Sequence, residues 1–244
     1  MTTACIIGAS AGLGLALARA LATQGHDLCL VARDARDLDA IAADLRIRYR
    51  VQVQTLDIDL GNVDPAELVN NCLALSGPID HLLLVAGISQ KNDRPGLSDS
   101  EVAAILEVNL VAPVRTINAF IPHLLSRPSA SITGAGSIAS ARARRNNIHY
   151  AAAKTAMEFY FDGLRHALAD SDCRIQFYRL GYLQTQMTFG QRLMLPAASP
   201  ERVAAKIVAN LNRDTVGGYL PGWWRLPAMV LRCLPWTIYR RLDL

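Results

Sequence analysis

Short apolar runs alternate with helically periodic segments from residue 4 to residue 220, and this alternation limits the fold more than any other feature. Residues 4–8, 26–32, 51–56, 82–86, 130–133 and 174–180 read as strands, with a short seventh at 218–220. The run at 82–86 is apolar throughout, as in a parallel sheet covered on both faces. Between the strands, Leu13, Leu17 and Leu21 share one helical face, with Gly25 at the C-cap. Asp34 reads as an N-cap, Pro65 as a first helical residue, and Ser98 or Asp99 opens a long helix to about Phe120. Residues 150–170 and 200–212 are the remaining helices. Strand–helix alternation predicts one α/β domain built on a right-handed, doubly wound parallel sheet with helices on both faces.

Composition supports a packed core and excludes disorder: 51% of the 244 residues are apolar and the net charge is only +4. Cys5, Cys29, Cys72, Cys173 and Cys233 are dispersed and form no Cys-x-x-Cys pair, so they read as buried thiols of a reducing compartment, with no metal site. There is no basic-then-apolar leader pattern at the N-terminus, and clean apolar runs such as 82–88 fall far below a membrane span. The expected location is cytoplasmic, and no nucleic-acid partner is implied. The charge is local. Residues 223–244 hold Arg225, Arg232, Arg240 and Arg241 against Asp243, together with all three tryptophans, Trp223, Trp224 and Trp236.

A glycine turn, Gly8-Ala-Ser10-Ala11-Gly12-Leu13-Gly14, joins the first strand to the first helix. Glycines let the backbone approach a phosphate closely, and the helix N-terminus offers free N–H groups and a positive dipole end. That position makes the sheet Rossmann-like and points to a dinucleotide. An acid at the end of strand two would take the ribose hydroxyls of NAD. Ala32 and Arg33 stand there instead, and a guanidinium suits the 2′-phosphate of NADP. NADP(H) is therefore preferred, with NAD(H) left open. Asp34 competes but reads better as the helix cap. Asp57, ending strand three, is placed to accept from the adenine amino group.

The second signal is Tyr150-Ala-Ala-Ala-Lys154, with Ser137 thirteen residues earlier. Positions i and i+4 share a helix face, so the ammonium lies beside the phenol. A nearby cation is expected to lower the tyrosine pKa and tune it as a general acid for ketone reduction, or base for alcohol oxidation. The Ser137 hydroxyl can donate to the carbonyl oxygen, and Lys154 can hold the nicotinamide ribose.

These motifs resemble the short-chain dehydrogenase/reductase family over nearly the whole chain. The likeness rests on the glycine turn, Asp57-Ile58, Val85-Ala86-Gly87, Asn109 in Glu-Val-Asn-Leu, Ser137, Tyr150 with Lys154, and 180–185 (Leu-Gly181-Tyr-Leu183-Gln-Thr185). It implies a catalytic tetrad of Asn109, Ser137, Tyr150 and Lys154, with Asn109 bending a helix and supporting a proton-relay water. Gly181 and Thr185 match residues that close over the nicotinamide, and homo-oligomers follow. Two departures stand out: Leu84-Val85 replaces an Asn pair before Ala86-Gly87, and Leu180 replaces the proline before Gly181.

Within the family, the stretch SIASARARRNNIHY (137–150) and the basic, Trp-rich tail resemble the decaprenylphosphoryl-2-keto-ribose reductases. That likeness implies a keto-sugar on a polyprenyl-phosphate carrier, with Arg142 and Arg145 as substrate ligands beside Ser137. In the tail, Leu226, Val230, Cys233 or Leu234, and Ile238 fall near one helical face, flanked by arginines. This pattern is that of an interfacial segment at a membrane surface. The alternatives are a soluble reductase of a small or acyl ketone whose tail packs in an oligomer, and a non-catalytic NADP-binding sensor. Residues 1–222 are read as the catalytic part and 223–244 as a terminal segment of the same domain.

Overall fold

The computed structural model describes residues 2–90, 92–190 and 193–242. Seven strands form one sheet: β1 (Thr3–Ile7), β2 (Asp27–Ala32), β3 (Val53–Asp57), β4 (His81–Leu84), β5 (Ser131–Ser137), β6 (Arg174–Leu180) and β7 (Gly217–Leu220). Their order is β3-β2-β1-β4-β5-β6-β7, and every pairing is parallel. The winding direction reverses between β1 and β4, so a crevice opens beyond their C-terminal ends. Helices α1 (Gly12–Thr23), α2 (Ala35–Tyr49) and α7 (Pro200–Val208) bury one face of the sheet. Helices α3 (Pro65–Ser76), α5 (Ala112–Leu125) and α6 (Ile148–Ala167) bury the other, and α4 (Asp99–Leu106) leads into α5. The chain is thus the Rossmann-like doubly wound sheet that the alternation predicts.

Local chemistry sets the helix starts. The Asp34 side chain accepts from the N–H groups of Arg36 and Asp37, and Asp64 does the same ahead of Pro65. Ser98 and Glu101 form a reciprocal capping box. The helix that follows is longer than expected and is interrupted by one π-helical turn, Glu107–Val111, centred on Asn109. Residues 99–125 are long and apolar enough to cross a membrane by length and composition. Ile105, Ile117, Phe120 and Leu124 of this stretch are nevertheless fully buried, as in a core helix.

Two expectations about cysteine need correction. Cys233 is exposed, while the other four thiols are buried. The parallel register sets Cys5 opposite Cys29, and α3 adds Cys72, so three thiol sulfurs lie within 4.8 Å of one another. Sequence spacing alone misses this grouping. All three are sealed in the core.

The C-terminal segment is not one helix. α8 (Arg225–Cys233) ends before extended Leu234, and Pro235 precedes the short α9 (Trp236–Tyr239). Leu226, Val230, Cys233 and Ile238 do face outward. Trp224 does not: it is 2% exposed, packed with Ile138 and Ala228 and edge-on to Tyr182.

Candidate active site

The crevice is a cleft of about 900 Å³. Gly8, Ser10, Ala11, Gly12, Leu13, Gly14, Arg33, Ile58, Ala86, Gly87, Gly181, Leu183 and Thr185 line it, as do Ser137, Tyr150 and Lys154. At its floor a Cβ on Gly14 would lie 1.9 Å from the Gly8 carbonyl oxygen, so only glycine allows the helix to start this close to the strand end. That cradle of backbone N–H groups at a helix N-terminus fits the pyrophosphate of a dinucleotide.

The departures from the family pattern are compensated locally. The N–H groups of Val85 and Ala86 both donate to the Ile7 carbonyl at 3.0 Å, tying the end of β4 to β1 without the missing amides. Gly181 donates its N–H to Leu220 O at 2.9 Å, and the indole of Trp224 packs on it where a proline ring is lacking.

Helix α6 carries Tyr150 and Lys154 into the cleft. Its start is held by Asp93, a buried carboxylate that accepts from the N–H groups of His149 and Tyr150 at 3.0 and 2.8 Å. Lys154 Nζ lies 5.8 Å from the centre of the Tyr150 ring and 3.4 Å from Ala135 O. Asn109 lies behind them, its Nδ2 donating to Ile88 O and Ile105 O at 2.8 and 2.9 Å, while its Oδ1 is buried without a partner. A void of about 10 Å³ touches both Asn109 and Lys154. The structure therefore brings Asn109, Ser137, Tyr150 and Lys154 together.

The electrostatics differ from the expectation. Burial pushes the Tyr150 phenol above its ordinary pKa, while a hydrogen bond with Ser137 and the Arg144 charge pull it back in part. Burial also lowers Lys154, to about 8. The Arg144 charge offsets part of the burial cost of phenolate. Desolvation disfavours the charged form of both groups.

Three residues singled out from sequence lie outside the cleft lining. Arg142 points away from the cleft: it donates to the carbonyls of Leu231 and Leu234 and stacks its guanidinium 4.0 Å from the Tyr239 ring centre. Arg145 is exposed and does not line the cleft. Asp57 is exposed at the end of β3, and Ile58, the next residue, lines the cleft in its place. Arg144 is the arginine of the cluster that reaches the cleft, donating to the Tyr182 hydroxyl at 3.0 Å. Sequence alone does not mark Glu158, one helical turn beyond Lys154. It is buried and accepts from Ser140 Oγ at 2.9 Å and Arg179 Nη2 at 2.6 Å, with Arg232 at 3.6 Å. The i+4 spacing from Lys154 was the available signal.

Residues 2–194 match the family model described as short chain dehydrogenase. The chain belongs to that family and is an oxidoreductase. An uncharacterised oxidoreductase of Mycobacterium tuberculosis is 30% identical over 239 residues, covering 98% of this chain and 96% of that one. The ketoacyl reductase HetN of Nostoc is 27% identical, covering 87% of this chain and 76% of its own. Among solved structures, an alcohol dehydrogenase of Thermococcus sibiricus complexed with 5-hydroxy-NADP superposes with a TM-score of 0.80. It is 27% identical, covering 90% of this chain and 94% of the other.

Proposed function

We propose that the chain is an NADP(H)-dependent reductase that converts a ketone to a secondary alcohol, the ketone being carried on a polyprenyl-phosphate-linked sugar. The convergence of Ser137, Tyr150 and Lys154 in one cleft, with Asn109 behind them, is the observation that carries the reductase reading.

The glycine turn would hold the cofactor pyrophosphate, and Lys154 the nicotinamide ribose. Arg33 is exposed on the cleft wall, and the Asp34 carboxylate is committed to capping α2, which supports a 2′-phosphate over free ribose hydroxyls. The NADP analogue bound by the Thermococcus relative agrees with this choice. When bound, the cofactor supplies a hydride. Ser137 holds the carbonyl oxygen by a hydrogen bond that strengthens as charge develops there. Tyr150, whose phenol desolvation holds above its ordinary pKa, gives its proton to that oxygen. Lys154 and Asn109 border a void about the size of one water, which suits proton resupply from behind the phenol.

The lipid-linked substrate draws support from the outer face of 223–242. Leu226, Met229, Val230, Trp236 and Ile238 are each at least half exposed, among Arg225, Arg240 and Arg241. Apolar and cationic groups in this mixture suit an anionic membrane surface, and a peripheral site at the inner face follows. Copies of the chain are also expected to assemble, as the family resemblance implies. A second reading, reduction of an acyl ketone without a membrane, is favoured by the likeness to the Nostoc ketoacyl reductase. NADPH oxidation against a panel of ketones, from 3-oxoacyl thioesters to polyprenyl-phosphate keto-pentose analogues, tests both. Turnover confined to the thioesters refutes the sugar, and no turnover of any ketone refutes the reductase.

A further inference from the structure

The substrate side of the cleft, beyond Ser137 and Tyr150, is lined by Arg144, Asn146 and Tyr182. Arg144 is partly buried and has no carboxylate partner among the described residues. Its one side-chain hydrogen bond there runs from Nη1 to the Tyr182 hydroxyl at 3.0 Å. Tyr182 accepts in that bond, so its own hydrogen is left to donate. Asn146 has its carbonyl oxygen engaged by Arg94 Nε at 2.6 Å, which leaves its amide N–H groups as donors. Asp34 and Asp59, the acids that line the cleft, belong to its other end, beside β2 and β3. The wall facing the substrate thus offers several hydrogen-bond donors and one uncompensated guanidinium. A half-buried cation without a counter-ion is costly unless a ligand supplies the charge.

We infer that Arg144, with Tyr182 and Asn146 beside it, is an anion receptor that selects ketones bearing a carboxylate or phosphate group. This rests on the reductase reading and narrows its substrate class. Planar oxyanions match the guanidinium fork in both cases, so the shared chemistry is an oxyanion held against Arg144 while the carbonyl lies at Ser137. A carboxylate and a phosphate ester differ in charge and reach, and substrate pairs separate them.

The test compares acid and ester forms of one ketone on the full chain. The carboxylate arm uses 4-oxopentanoate and 5-oxohexanoate with their methyl esters. The phosphate arm uses hydroxyacetone phosphate with hydroxyacetone. Binding to the NADP-saturated protein is measured by calorimetry, and turnover by NADPH oxidation. The expected result is tighter binding and higher kcat/KM for the charged form in at least one arm. In Arg144→Gln that preference falls about 10- to 100-fold, as for loss of a charged hydrogen bond. Arg144→Lys restores part of it, because the charge returns without the fork. The arm that shows the preference names the oxyanion. Wild-type protein that binds neither form, or shows no preference, overturns the proposal. So does an Arg144→Gln variant that loses charged and neutral forms alike; because the Arg144 charge also acts on Tyr150, a displaced pH profile accompanies either result and the charged-to-neutral ratio decides. Charge-selective binding without turnover of any ketone would instead overturn the reductase reading and leave the anion receptor intact.

Discussion

Arg179 donates to the Glu158 carboxylate at 2.6 Å, joining the end of β6 to α6. Ser140 lies between Glu158 and the Ser137 carbonyl, 2.9 Å from the first and 2.8 Å from the second, so one hydroxyl hydrogen serves either acceptor. Burial pushes the Glu158 carboxyl upward, but the Arg179 bond, Ser140 and the charges of Arg179 and Arg232 outweigh it and hold the pKa low. Glu158→Gln leaves Arg179 and Arg232 facing a neutral amide. Allowing for the partial exposure of Arg179, we expect a loss of about 2–3 kcal/mol in urea unfolding. The turnover number should fall while KM for NADPH holds, because the change displaces Ser137 rather than the phosphate cradle. Unfolding that matches the wild type would remove Glu158 from this role.

Asp93 sets a pH limit on the start of α6. Burial raises its carboxyl, but the N–H groups of Tyr150 and His149 and the His149 ring together lower it below the ordinary value. A carboxylate with a lowered folded pKa adds stability that is whole above the unfolded value, about 3.9, and is lost as pH falls further. Asp93→Asn should therefore be about 1–2 kcal/mol less stable at pH 7, with the gap narrowing below pH 4. Melting curves across pH 3–7 measure it, and a gap that stays constant would contradict the assignment.

Lys154 titrates at about 8 because it is buried. Ketone reduction that needs its ammonium should slow as pH rises through that value. On stability the sign is opposite: the folded pKa lies below the ordinary value of about 10.4, so burying the charge costs most below pH 8 and the cost fades towards pH 10. Tyr150→Phe should cut turnover at least about 100-fold while NADPH still binds, as for loss of a general acid. Rate profiles and fluorescence titration read both effects.

Arg33 distinguishes the cofactors. Arg33→Ala should weaken NADPH about 10- to 100-fold and NADH only slightly, because only the first carries the 2′-phosphate. Equal losses would refute the NADP preference.

The C-terminal segment divides into an inner and an outer face with different consequences. Trp224→Ala should destabilise the fold by about 3–5 kcal/mol. Leu226→Glu with Val230→Glu should change folding by less than about 1 kcal/mol yet abolish sedimentation with anionic vesicles. Unchanged sedimentation would leave the outer face without a membrane role.

The elements legible in sequence were those set by local chemistry. Asp34, Pro65 and Ser98 start helices by capping or by a fixed φ, and the glycine turn lies where its spacing places it. The meeting of Tyr150 and Lys154 in the cleft was legible because they are four residues apart on one helix. What escaped depends on tertiary register. Arg142, Arg144 and Arg145 look alike in sequence, and only the packing of α8 against 138–144 turns Arg142 outward and leaves Arg144 in the cleft. The pKa of Tyr150 escaped too, because desolvation depends on what covers the ring. The gathering of Cys5, Cys29 and Cys72 follows from strand register and from no local motif.

Trp224 rests on Gly181 so closely that a Cβ there would come within 1.8 Å of the indole nitrogen. The two positions, 43 residues apart in the chain, are therefore a single unit for any attempt to reshape the enzyme. A library that varies 181 alone samples only collisions, and one that trims 224 alone samples only cavities. New specificity at this wall is reachable by joint exchange, a larger residue at 181 together with a smaller one at 224.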